Sequence, residues 1–180
     1  MELQEFVKVL DFNEEDNENK KEIASIFKNY GDEIANEIAD AFSKSPEVVK
    51  AIQQTNISFF EIRDRWLSMV ETTLSSEFDE EFEKKFQEFS KSLTKMGIIK
   101  REFIALGISL IFIKLNDKIL SLGLDRDKDL SKTLLRVLSA FLVKGMDLYS
   151  EQLTNLFLKF TGMSKELFMR QIEVEAKKGL

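Results

Sequence analysis

The chain has 180 residues, a net charge of −6 from 32 acidic and 26 basic side chains, no cysteine and no histidine. The length suits one domain with a real core, and with 7 Gly and 1 Pro among a majority of helix-forming residues the expected class is all-α. A disulfide framework and thiolate chemistry are excluded, a reducing cytoplasmic setting fits, and basic residues scattered among acidic ones make no concentrated field for nucleic acid.

Residues Met1 to Leu10 alternate charged and apolar side chains, without the basic start and apolar run of an export signal. From Asp16 to Asn29, Ile23, Ile26 and Phe27 share a helical face, and Glu14, Glu15 and Asp16 place negative charge where a helix N-terminus favours it. Tyr30-Gly31-Asp32 reads as a break, followed by a helix from Asp32 to Ser43 built on Ile34, Ala35, Ile38, Ala41 and Phe42. Ser45-Pro46-Glu47 supplies a cap, a first-turn proline and an acidic residue, opening a short helix to about Gln53. Ser58 and Glu61 have the capping-box spacing ahead of Ile62, Trp66, Leu67, Met69, Val70 and Leu74, which sets a helix to about Leu74.

Beyond Ser75-Ser76-Glu77, the residues Phe78, Phe82, Phe86, Phe89, Leu93 and Met96 recur at intervals of four, four, three, four and three. They make an aromatic stripe along one helix, which Gly97 ends. The next helix, about Lys100 to Leu122, is apolar nearly all round between Phe103 and Leu115, as a central helix or one at a subunit interface would be. Its apolar run is far shorter than the ~20 residues that span a membrane. After a charged turn at Gly123 to Asp127, Lys128 to Phe160 keeps Leu134, Leu138, Phe141, Leu142, Leu148, Tyr149, Leu156 and Phe160 in register. At ~1.5 Å per residue that helix is on the order of 50 Å long, with Gly145 as the place for a kink. Thr161-Gly162-Met163 stops it, Ser164 caps the next, and Leu167, Phe168, Ile172 and Ala176 line one side of a further amphipathic segment.

Chemistry-bearing constellations do not emerge. Without histidine, the commonest general base, the commonest transition-metal ligand and the usual axial haem ligand are missing, and the Glu-x-x-His element of a carboxylate-bridged di-iron centre cannot be made. Glu77, Asp79, Glu80, Glu81 and Glu83 cluster, but calcium loops alternate their ligands around a glycine, whereas these carboxylates fall on the solvated opening turn of a helix. No glycine-rich loop follows a strand. The expectation is a non-enzyme without metal or cofactor.

The helix order, Trp66, the Phe78-Asp79 pair with Phe82 three residues later, and Gly97-Ile98 closing the helix resemble the sensor globins, that is, the globin-coupled sensors and protoglobins. The resemblance covers about Phe12 to Phe160. In that family the histidine that ligates haem stands four residues before the closing glycine, and counting back from Gly97 that position holds Leu93. Leucine has no lone pair to offer iron. The family's distal tyrosine is also missing from the helix Asp32 to Ser45. The chain therefore looks closest to the haemless branch, which includes the N-terminal domains of stressosome proteins and stand-alone proteins similar to sporulation-kinase sensor domains. What the resemblance implies is a globin-like sensor domain over residues 1–160 with a helical extension over 161–180, and a homodimer formed through the last two long globin helices. For that dimer Ile108, Ile111, Phe112, Leu115, Leu138 and Leu142 are candidate contacts.

Three functions compete. In the first, Trp66, Phe82, Phe86, Phe89, Leu93 and Phe103 line the former haem site and hold a small apolar, fatty-acid-like ligand, each buried methylene adding roughly 0.8 kcal/mol. In the second, the large aromatics fill that space and leave an interaction module for a signalling protein partner; a cavity well below ~300 Å³ favours it. In the third, haem is held by Met96, Tyr30 or a lysine, none of which stands where the helix face requires it.

Overall fold

The computed structural model describes residues 3–54, 58–95, 101–125 and 129–178. Among them it is all-α, with eight helices: α1 (Leu3–Val9), α2 (Glu14–Ser43), α3 (Pro46–Gln53), α4 (Phe59–Ser75), α5 (Glu80–Lys95), α6 (Arg101–Ser121), α7 (Leu130–Thr161) and α8 (Lys165–Lys177). None of the described helices is long and apolar enough to cross a membrane.

Local chemistry sets most of the boundaries. Asn13 caps α2 by accepting from the Asp16 amide at 3.2 Å while Asp16 Oδ2 accepts from the Asn13 amide at 3.0 Å. Ser58 and Glu61 make the same reciprocal pair at the start of α4, at 3.2 and 3.1 Å. Pro46 opens α3, and Ser164 Oγ accepts from the Leu167 amide at 3.2 Å to start α8. Gly162, at φ 68°, ends α7 in the left-handed conformation that only glycine adopts without cost.

The expected break at Tyr30-Gly31-Asp32 is corrected: α2 runs unbroken for 30 residues. Ile23, Ile26 and Phe27 before the glycine and Ile34, Ala35 and Phe42 after it stay in one buried register. Burial of that stripe outweighs the ~1 kcal/mol a glycine costs inside a helix. α7 likewise continues through Gly145, which is buried. The short α1 was not legible as a helix; Phe6, Val7 and Leu10 fasten it to the core, and it packs on α7.

The long α2 lies against α4, α6 and α7, α6 packs along α7, and α5 bridges α4 and α7. Charged side chains on α6 clip it to α2: Lys114 meets Glu37 at 2.8 Å, and Lys118 meets Glu33 at 3.0 Å while sitting 3.9 Å over the Tyr30 ring. The core between these helices holds Ile23, Leu74, Leu115, Ile119, Leu134 and Phe141, all essentially without solvent contact.

Candidate functional site

The aromatic stripe on α5 turns toward α4 and α7. Phe82 and Phe86 are 1% and 2% exposed. Phe86 stands edge-on to Phe141 of α7 with centroids 4.7 Å apart, Phe82 lies 5.6 Å from Phe86, and Trp66 of α4 meets Phe89 at 5.3 Å and Phe141 at 6.1 Å. The series continues through Phe78 to Phe12, at 5.2 and 5.7 Å. Edge-to-face rings at these separations are favourable beyond the area they bury. Four of the six expected pocket residues, Trp66, Phe82, Phe86 and Phe89, thus come together, with their rings in contact with one another. The side chains of Leu93 and Phe103 lie outside the described residues, as do Met96 and Gly97. Phe141, distant in sequence, completes the cluster; its place on the buried register of α7 was the only signal for it.

An apolar cavity between α2, α4 and α6 shares Trp66 with the ring cluster; it has a volume of about 40 Å³ and a lining that also includes Phe27, Ile34, Phe42, Leu67 and Gly107. Ordinary ligand sites occupy about 300 Å³ or more. Gly107 lets α6 approach the indole, since a Cβ there would stand 3.3 Å from Trp66. A larger hollow of about 540 Å³, on the outer side of α4 and α5, is open and mixes Asp64, Arg65, Lys85 and Glu88.

The acidic cluster resolves into separate jobs. Asp79 caps α5 by accepting from the Phe82 amide at 2.9 Å, Glu81 pairs with Lys85 at 2.9 Å, and Glu83 reaches Lys144 of α7 at 3.0 Å. Among the described residues no group of carboxylates converges as metal ligands would.

Sequence reasoning missed the corner between α4 and α5. Phe78 adopts φ 56°, a left-handed conformation that bulky side chains rarely take. Its buried ring forms one wall of a cage whose other wall is Phe12, and the ammonium of Lys20 sits 4.2 Å and 5.7 Å from the two centroids while donating to the Ser76 carbonyl. Burial lowers the Lys20 pKa to about 8, against the opposing pull of Glu77. A folded value below the unfolded ~10.4 makes the unfolded chain bind the extra proton, so stability rises as pH climbs from about 8 toward 10.5 and is lost as pH falls through 8. Measured by urea midpoints, the native chain should gain about 2 kcal/mol over Lys20→Met across that window. A constant difference would place the ammonium in water.

The expected dimer contacts require a correction. Ile111, Leu115 and Leu138 are 5%, 0% and 4% exposed because they face the chain's own core, so they cannot meet a partner. Phe112 and Leu142 are half-buried against that core, and the side chain of Ile108 lies outside the described residues. Other apolar residues face solvent: Leu106, Ile113 and Leu120, seven apart on α6, and Leu135, Leu153 and Leu156 on α7. No protein-family model matches the chain, and no curated protein is significantly similar to it.

Proposed function

We propose that the chain is a haemless, globin-like relay module of the cytoplasm, non-catalytic, whose former haem space is filled by its own rings and which works through protein contacts, beginning with a second copy of itself. The observation that carries this reading is the ring packing: Phe82, Phe86, Phe89, Trp66 and Phe141 touch one another where the resemblance would put a ligand. The helix pairing supports the globin-like part, since the long α2 packing on α4, α6 and α7, and the long α6 and α7 packing on each other, fit a fold of pairwise-packed helices around one buried site. The exposed Leu106, Ile113 and Leu120 support the contact surface, because an apolar seam at heptad spacing is what a helical partner covers. The absence of cysteine supports the cytoplasmic setting.

The competing ligand reading draws on the apolar cleft between α2, α4 and α6. An acyl chain there would have to displace Trp66 or Phe42, losing packing that the burial of methylenes must then exceed. One set of measurements separates the readings. Native mass spectrometry of gently purified protein should show the bare polypeptide, medium-chain fatty acids should leave the melting temperature unchanged, and hemin should give no sharp Soret band. Light scattering should report a dimer that Ile113→Glu converts to monomer. A stoichiometric bound lipid, or a stabilising shift with any acyl ligand, would replace the filled-core reading with the sensor.

A further inference from the structure

Gln152 of α7 donates to Ser90 Oγ of α5 at 2.8 Å, and past that tie the helix runs on without burial. In its last turns Leu153, Leu156, Phe157 and Phe160 fall at i, i+3, i+4 and i+7, one seam on one helix face. All four are exposed, and Phe160 stands 94% in water. Beyond the Gly162 turn, α8 adds Leu167, Met169, Ile172 and Val174, each nearly half exposed, and meets the seam through Phe168, 5.2 Å from Phe157. A helix of 13 residues with no buried side chain is marginal in water, so this hairpin calls for a cover.

Charge identifies the cover. After Gln152 come five basic side chains, Lys159, Lys165, Arg170, Lys177 and Lys178, against three acidic ones, Glu166, Glu173 and Glu175. This end therefore carries +2, which leaves −8 on the remainder of a chain at −6. Of the acids, Glu175 is paired with Lys178 at 2.7 Å, and around the turn itself Lys159, Lys165 and Arg170 are accompanied by Glu166 alone. Two copies meeting here would set positive ends against each other, whereas an anionic surface is their complement. The tip also stands clear of the acidic body: Phe160 lies eight residues past Gln152, ~12 Å along the axis, beyond the Debye length of about 8 Å at physiological ionic strength. Shape agrees with charge. A ring as exposed as Phe160 is held by no wall, and a convex aromatic end flanked by lysines enters a fluid interface, whereas a folded partner must supply a fitted pocket for each anchor.

We infer that the α7–α8 hairpin docks on an anionic lipid surface. Phe160 and the seam behind it enter the headgroup region, and Lys159, Lys165 and Arg170 meet lipid phosphates with their stems laid along the apolar surface. The contact lies in the plane of the membrane surface and needs no spanning helix. It goes beyond the relay reading and does not depend on it.

The test is co-sedimentation of the full chain with vesicles of mixed phosphatidylglycerol and phosphatidylcholine, against vesicles of phosphatidylcholine alone. Binding should be confined to the anionic vesicles and fall as salt is raised, and α8 amides should gain hydrogen-exchange protection on them. Lys159→Gln combined with Lys165→Gln should weaken binding about 30-fold, and Phe160→Ser about 10-fold. All three positions are exposed, so the melting temperature should stay unchanged in these variants. Failure to pellet with anionic vesicles would overturn the inference and leave an acidic protein groove as the cover. Equal pelleting of the native chain and the hairpin variants would overturn it too, by placing the lipid contact elsewhere. Sedimentation velocity without lipid separates the remaining occupant: α8 protection that follows self-association and is unaltered by vesicles would assign the hairpin to a second copy and sink the proposal.

Discussion

Phe86→Ala is expected to lower the unfolding free energy by about 3–5 kcal/mol, a fall of roughly 6–20 °C in melting temperature for a chain of this size. The ring is 2% exposed and touches Phe82, Phe89 and Phe141, so its removal forfeits the transfer energy of the side chain and leaves a hole among rigid neighbours. Three aromatic walls cannot collapse by changing rotamer in the way aliphatic walls can, which places the cost toward the upper end. The same variant interrogates the filled-core reading directly. A dry apolar void comparable to the ~150 Å³ cavities that take up benzene or xenon should appear, so benzene should stabilise Phe86→Ala and leave the native chain unaffected. Equal stabilisation of both would mean that the native core already has room, and the ligand-binding sensor would then be the better account. Under the filled-core reading, Phe82, Phe86 and Phe141 occupy by covalent attachment the volume that a cofactor or lipid would otherwise fill.

What the sequence made legible was local, and what it hid was distant. Ser58 with Glu61, Pro46, Ser164 and Gly162 announce helix ends through contacts within a few residues, and each stands where the pattern put it. The stripe from Phe82 to Phe89 was readable as one face because helical period is a property of neighbours in sequence, whereas Phe78, expected at its head, stands in the corner before α5 with a left-handed backbone. What that face meets was not readable: Phe141 lies 55 positions beyond Phe86. Gly31 misled because its propensity is local whereas the packing that overrides it comes from three other helices. The inward face of α6 was hidden for a related reason. With α6 apolar nearly all round, the period could not say which stripe faced inward, and the choice of Ile111 and Leu115 took the buried one. Lys20 was the least predictable of all, since nothing in a run of charged residues marks one of them for a cage formed by Phe12 and Phe78.

Asp16→Ala should destabilise the fold by about 3–5 kcal/mol, the loss expected when one partner of a buried ion pair is removed and the other is left behind. Asp16 is 3% exposed, and each carboxylate oxygen is committed: Oδ1 accepts from the Thr133 hydroxyl at 2.6 Å, and Oδ2 accepts from Arg136 at 2.6 Å and from the Asn13 amide at 3.0 Å. Asn19 adds a donor to the Thr133 hydroxyl at 3.2 Å. With the carboxylate gone, the carboxylate partner left to Arg136 among the described residues is Asp11, 3.8 Å away and almost wholly solvated, while the Thr133 hydroxyl loses its acceptor. The capping box of α2 disappears in the same stroke, adding about 1 kcal/mol that Asp16→Asn should largely spare. The control is a double substitution, Asp16→Leu with Arg136→Met, which removes both charges and should recover most of the loss, because a well-packed apolar pair is no worse than a buried ionic one. If the single variant instead costs less than about 1 kcal/mol, the pair behaves as a surface ion pair and the burial of Asp16 is not maintained in solution. The position matters beyond stability: the network ties the first turn of α2 to the first turns of α7, the helix whose far end carries the exposed seam. A loosened anchor should therefore show first as faster amide exchange at the start of α7, ahead of the rest of the helix.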